Sequence, residues 1–222
     1  KTVGNQSQKH GFIVENSIRE LVFNLPKEVN DTKTHDIPKE KNIFDSNENC
    51  SIKTTGSNTI CCGDIFRFYK YNFDEKNTII VVKYKQTDNQ TKTIVQIYEI
   101  NYNKECHKKL FGNLPEEAIQ EYIDNVKSIP RKTKGQDAIN IFDYKNEKKK
   151  LENLYPNKIA INPKVDSNQS RVQCSIPNFE ETLKEFITYK SPSDVPNLVR
   201  NKKIPLLIES KLRNRKPRNL NQ

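Results

Sequence analysis

The feature that most limits what this chain can fold into is the segment N-T-I-I-V-V-K-Y-K-Q, followed at once by T-D-N-Q-T and K-T-I-V-Q-I-Y-E-I-N-Y-N (residues 77–103). Two β-branched runs separated by a short polar turn read as a β-hairpin. Ile79, Ile80, Val81 and Val82 form an unbroken apolar run, which needs cover on both faces and therefore suits a central strand. Such a strand needs flanking layers, and the rest of the chain offers helices. Residues 12–23 space Ile13, Ile18, Leu21 and Val22 helically before Pro26. Pro115 opens E-E-A-I-Q-E-Y-I-D-N-V with acids suited to a helix N-terminus. A weakly patterned basic stretch over residues 130–150 predicts a helix containing Ala138, Ile141 and Phe142.

Further strands are expected at residues 49–55 and 59–71, flanking T-G-S-N. One strand-like unit is expected at residues 158–176, followed by a helix over 178–189. Alternating helices and strands give an α/β fold, a central mixed β-sheet flanked by helices. Residues 1–190 are read as one domain and 191–222, rich in Pro and basic residues, as a loosely structured cationic extension.

Charge narrows the partners. Lys and Arg number 38 against 28 Asp and Glu, a net +10, which favours a polyanion, nucleic acid first. A Lys-rich solvated surface gives the same balance without any partner. No apolar run approaches the roughly 20 residues of a membrane span. Five cysteines without framework spacing point to a reducing, cytoplasmic setting and to buried thiols more than to a zinc site. Phosphate-loop, dinucleotide-fingerprint and H-E-x-x-H motifs are missing, and the three histidines leave carboxylate, lysine and hydroxyl chemistry.

That chemistry can assemble at H-D-I-P (residues 35–38) and C-S-I-K (residues 50–53). The residue before a proline is pushed into an extended conformation, so 35–37 can lie beside the strand holding Ser51 and Lys53. Those two share one face by the two-residue period. Asp36 could then bind Mg²⁺, which needs one or two carboxylates plus water and phosphate oxygens. Lys53 could stabilise a developing phosphorane, and Glu15 could join from the first helix. The plain alternatives are a turn aspartate, a solvated strand lysine and a Glu15–Arg19 helix pair.

Asp36, the S-I-K of 51–53 and the preceding G-F-I-V-E of 11–15 together resemble the PD-(D/E)XK nuclease superfamily, most closely a type II restriction endonuclease. The likeness covers about residues 11–103, with a looser similarity over 162–186. It implies a restriction-endonuclease-like core and Mg²⁺-dependent cleavage of double-stranded DNA by Asp36, Ser51, Lys53 and Glu15, with Asp36 and Glu15 at the metal. Two positions depart from the family pattern: His35 replaces the proline and Ser51 the second acid. A rival alignment through Asp64 and V-V-K of 81–83 puts a valine at the ligand position.

DNA contacts are expected from Lys164, Ser167, Asn168, Gln169, Ser170, Arg171 and Gln173, since Arg, Asn and Gln read base edges. An Asn-rich solvated edge strand is the alternative there. Basic clusters near residues 131–134, 148–150 and 211–218 would contact phosphates. Double-strand cleavage makes a homodimer the expectation, with a monomer nicking each strand in turn as the alternative. The competing functions are a non-catalytic DNA- or RNA-binding protein and a repair or junction-resolving nuclease.

Overall fold

The computed structural model describes residues 6–28, 34–128, 137–165 and 170–210. In chain order the elements are α1 (Gln6–Leu21), β1 (Glu48–Thr55), β2 (Thr59–Asp64), α2 (Ile65–Tyr69), β3 (Lys76–Gln86), β4 (Thr91–Asn101), α3 (Lys104–Phe111), α4 (Glu116–Ser128) and α5 (Asp137–Leu154). There follow β5 (Ala160–Val165), β6 (Ser170–Pro177), α6 (Phe179–Thr182), β7 (Ile187–Lys190), β8 (Leu198–Val199), β9 (Lys202–Lys203) and β10 (Leu207–Glu209). The fold is α/β, with a mixed sheet flanked by helices.

The main sheet runs β1-β3-β4-β10, and β7 also pairs with β4. β1 and β3 are parallel, with Ser51 beside Ile79 and Lys53 beside Val81. β3 and β4 form the antiparallel hairpin expected from the sequence. The I-I-V-V run splits by strand alternation. Ile79 and Val81 enter one core with Ile100, Phe111 and Ile123, while Ile80 and Val82 enter another with Val14, Ile18 and Ile97. Both faces of β3 are thus covered. Truncating a side chain such as Ile80 would cost about 2–5 kcal/mol. A second, three-stranded sheet, β2-β6-β5, closes over the first core with Ile60, Ile161, Val172 and Ile176.

Several expected elements are corrected. The strand expected over 59–71 stops at Asp64. Gly63 sits at φ +79° in a bulge, and the Asp64 carboxylate accepts from the Arg67 amide at 2.9 Å, capping α2. Ile65 and Phe68 then bury at helical spacing. The single unit at 158–176 is two strands, β5 and β6, paired as a hairpin. The helix expected over 178–189 is one turn, α6, then a 3₁₀ turn at Lys184–Phe186 and strand β7. Pairing of Ile187 and Tyr189 with Ile100 and Glu99 draws that segment into the sheet. The basic helix is α5, displaced toward the C-terminus, and the side chains of Ala138, Ile141 and Phe142 lie outside the described residues.

Residues 191–210 are not a loose extension. Val199, Ile204 and Ile208 are buried against α1 and the main sheet. β10 pairs with the N-terminal half of β4, Leu207 opposite Thr93. Buried Ser191 accepts from the Ile97 amide and donates to the Pro196 carbonyl, both at 2.9 Å. Composition alone hid this, because three short strands leave little periodic signal. Residues 211–222 lie outside the described part. Among the described residues no helix is long and apolar enough to cross a membrane.

Candidate active site

The segment before β1 is held as an extended strand end. Ile37 and Cys50 exchange backbone hydrogen bonds of 2.9 and 2.8 Å, an antiparallel bridge that sets residues 35–37 alongside β1. Arg19 of α1 fixes the approach. It is 1% exposed, pairs with Glu28 at 3.1 Å, donates to the Pro26 carbonyl at 3.2 Å and also to the carbonyl of Asp36. The turn before Ile-Pro is therefore tied to the first helix.

From this bridge the Asp36 carboxylate reaches over β1. Its Oδ2 accepts from the Ile52 amide and lies 3.8 Å from Lys53 Nζ. Neither contact uses Oδ1. Burial lowers the affinity of Lys53 for its proton, but the Asp36 charge, with Glu15 among the smaller contributors, outweighs it and raises the ammonium above its ordinary value. Lys53 thus stays cationic while its side chain remains about a quarter exposed, at 27%. Glu15 lies half-buried on α1, which packs against β1.

Ser51 shares the strand face with Lys53 but points into protein. It is 2% exposed, and its Oγ lies 3.0 Å from the Tyr71 hydroxyl and 3.4 Å from His35 Nδ1. The His35 ring meets Tyr71 edge-on at 4.8 Å. Burial lowers the His35 pKa against the pull of Asp36, so the imidazole is neutral near pH 7. Asp36 and Lys53 therefore meet at one corner, while the Ser51 hydroxyl beside them is directed to Tyr71 and His35. Two neighbours, His35 and Tyr71, went unassigned. Tyr71 lies 20 residues beyond Ser51, across β2 and α2, and no local pattern predicts its return.

The rival pair does not meet at a cation site. Lys83 is bound to Glu180 at 2.6 Å, and Asp64 serves as the cap of α2. As for magnesium, the corner offers Asp36 as a carboxylate, and Ser51 Oγ is turned toward Tyr71. Among the described residues no group of three or more His, Cys, Asp or Glu side chains is arranged to hold a metal. The donor set meets the minimum for Mg²⁺, one carboxylate with water and substrate phosphate supplying the rest.

The expected recognition residues lie elsewhere, on β5 and β6. Lys164 is paired with Arg171 and Asn162 with Gln173 across the hairpin. Val172, Cys174 and Ile176 face the core, so Arg171 and Gln173 occupy the opposite face by alternation. Among the described residues, Arg171 Nε is buried without a hydrogen-bond partner. Ser167, Asn168 and Gln169 lie outside the described residues, as does the side chain of Ser170.

Comparison with protein-family models, with curated proteins and with solved structures returned no match, so the corner's meaning rests on its own chemistry.

Proposed function

We propose that this chain is a Mg²⁺-dependent endodeoxyribonuclease of type II restriction character, acting on double-stranded DNA. The observation that carries the reading is the meeting of Asp36 and Lys53 across a strand bridge, one carboxylate oxygen engaged and the ammonium held charged. Asp36, with Glu15 from α1, would hold the ion. When bound, Mg²⁺ polarises a phosphate oxygen and makes its water a stronger nucleophile.

The chain's own residues do the rest. Lys53 neutralises charge growing on the phosphate during attack, a role that needs a fixed cation in a partly dry site. The Ile52 amide orients the Asp36 carboxylate, and Arg19 holds the backbone carrying it. Ser51, Tyr71 and His35 stiffen the strand beneath. Lys164, Arg171 and Gln173 would present one cationic and amide face of the three-stranded β2-β6-β5 sheet to a duplex. The net charge of +10 supplies the sequence-independent attraction. By this reading the protein works inside the cell as a homodimer, one active site for each strand.

One observation favours a non-catalytic nucleic-acid-binding protein instead: Ser51, where a second acid would sit, is neutral and turned toward Tyr71. A single assay separates the readings. Supercoiled plasmid is incubated with the chain and Mg²⁺, with EDTA as control, and cut ends are sequenced. Discrete fragments are expected. Cutting confined to branched junctions would move the substrate to the repair class, and DNA binding without cutting would overturn the enzyme reading.

A further inference from the structure

The five cysteines are all free, and they are not equivalent. Cys50 and Cys106 are fully buried at separate places in the two cores. Cys61, Cys62 and Cys174 instead gather where β2 pairs with β6. The register there is Cys61 opposite Ser175, then Gly63 opposite Cys174, then Asp64 opposite Gln173. Cys62 is thus the extra residue of a bulge, and it shares Cys174 with Gly63 as its cross-strand partner.

The bulge decides which thiol faces which. Cys174 lies wholly inside the first core, and Cys62 packs against that same core, so both side chains are on one face. Cys61 is exposed. Gly63, the neighbour of Cys62, is the residue registered opposite Cys174, and directly opposed residues of an antiparallel pair have Cα atoms about 4.5–5.5 Å apart. A disulfide spans Cα separations of roughly 4.4–6.8 Å. The thiol of Cys62 is also the strongest single neighbour acting on Cys174 after burial itself. Access is asymmetric: Cys62 is partly buried and Cys174 sealed.

We propose that Cys62 and Cys174 are a peroxide-sensitive dithiol, closing to an intrachain disulfide across the β2-β6 bulge. The Cys62 thiolate attacks one oxygen of a hydroperoxide, breaking the O–O bond and leaving a sulfenic acid, and the departing hydroxide or alkoxide takes up the proton the thiol had released to solvent and leaves as water or alcohol. The sulfur of Cys174 then attacks the Cys62 sulfur and displaces hydroxide, which takes up the Cys174 proton and leaves as water. Two thiols are oxidised and one peroxide is reduced. Burial pushes the Cys174 thiol pKa well up, so Cys174 is the resolving rather than the attacking sulfur. The vicinal Cys61 is left out because it lies on the other face of the strand.

The test uses the reduced full chain, exposed to hydrogen peroxide, alkylated and mapped by mass spectrometry without reduction. Titratable thiols should fall by two from the original five, with recovery on adding dithiothreitol. A peptide linking Cys62 to Cys174 should appear in the wild type and equally in Cys61→Ser, whose substitution is at an exposed position. It should vanish in Cys62→Ser. A link through Cys61, a sulfinic acid on Cys62 with Cys174 still reduced, or five thiols surviving peroxide would each overturn the proposal.

Discussion

β1 carries ionic chemistry at both ends, and the two ends are built differently. At its start Glu48 is 2% exposed and grips Arg200 through two hydrogen bonds of 2.7 and 2.9 Å. Arg200 also bonds Glu99 at 3.0 Å and lies between the rings of Phe23 and Phe44, 5.4 and 5.2 Å from their centroids. Thr78 and Asn42 donate to the remaining lone pairs of Glu48. Toward its other end the Asp36–Lys53 pair is a single 3.8 Å contact beside a quarter-exposed ammonium. The first network ties distant segments together; the second leaves Asp36 Oδ1 out of both of its contacts.

Breaking the closed network should have the larger effect. Arg200→Ala removes the main partner of a buried carboxylate, leaving it Lys76 at 3.4 Å, and should cost about 3 kcal/mol. Urea unfolding measures it, and a loss below about 1 kcal/mol would place the cluster with ordinary surface pairs. Lys53→Ala should do the reverse: a folded chain whose plasmid cleavage falls on the order of 10²–10³-fold while DNA binding persists. Wild-type cleavage by that variant would remove Lys53 from the site.

Acid sharpens the contrast next. Burial pushes the Glu48 pKa up, yet hydrogen bonds from Arg200 and Thr78 and the Arg200 charge pull it from 4.5 to about 2. A depressed carboxylate stabilises the fold fully above its unfolded value and loses that contribution as pH falls toward its folded value. Stability should therefore drop by about 3 kcal/mol between roughly pH 5 and pH 2 on account of Glu48. In Arg200→Ala this part of the pH dependence should flatten, as denaturant titrations at stepped pH would reveal. The smallest effect expected is for Tyr71→Phe, which deletes one buried hydrogen bond to Ser51 and costs about 1 kcal/mol. A cleavage loss as large as that of Lys53→Ala would instead make the Tyr71 hydroxyl part of the chemistry.

The two ends also differ in how far they could be read from sequence. Asp36 and Lys53 stood out because Pro38 forces the preceding residues to extend and strand alternation puts Ser51 and Lys53 on one face. Both signals are local. Arg200 is 152 residues from Glu48, in a stretch whose Pro and basic content resembles a tail. It sits with Asn201 in a tight turn, at φ 48° and 61°, and nothing near it names a partner. The same limit hid β7 and β10, whose few residues acquire strand identity from the edges of β4 that they complete.

By itself, then, the sequence determined the β3-β4 hairpin, the burial of β3 on both faces, helices α1 and α4, and the pairing of an acid with a strand lysine. Each follows from spacing within a dozen or so residues, which hydrophobic burial and backbone sterics read directly. Only the tertiary structure decided that Ser51 turns to Tyr71, that Arg200 locks the end of β1, and that Cys62 rather than Cys61 meets Cys174. Those outcomes depend on which distant groups a buried polar atom can reach, since an unsatisfied one costs more than the chain can spare.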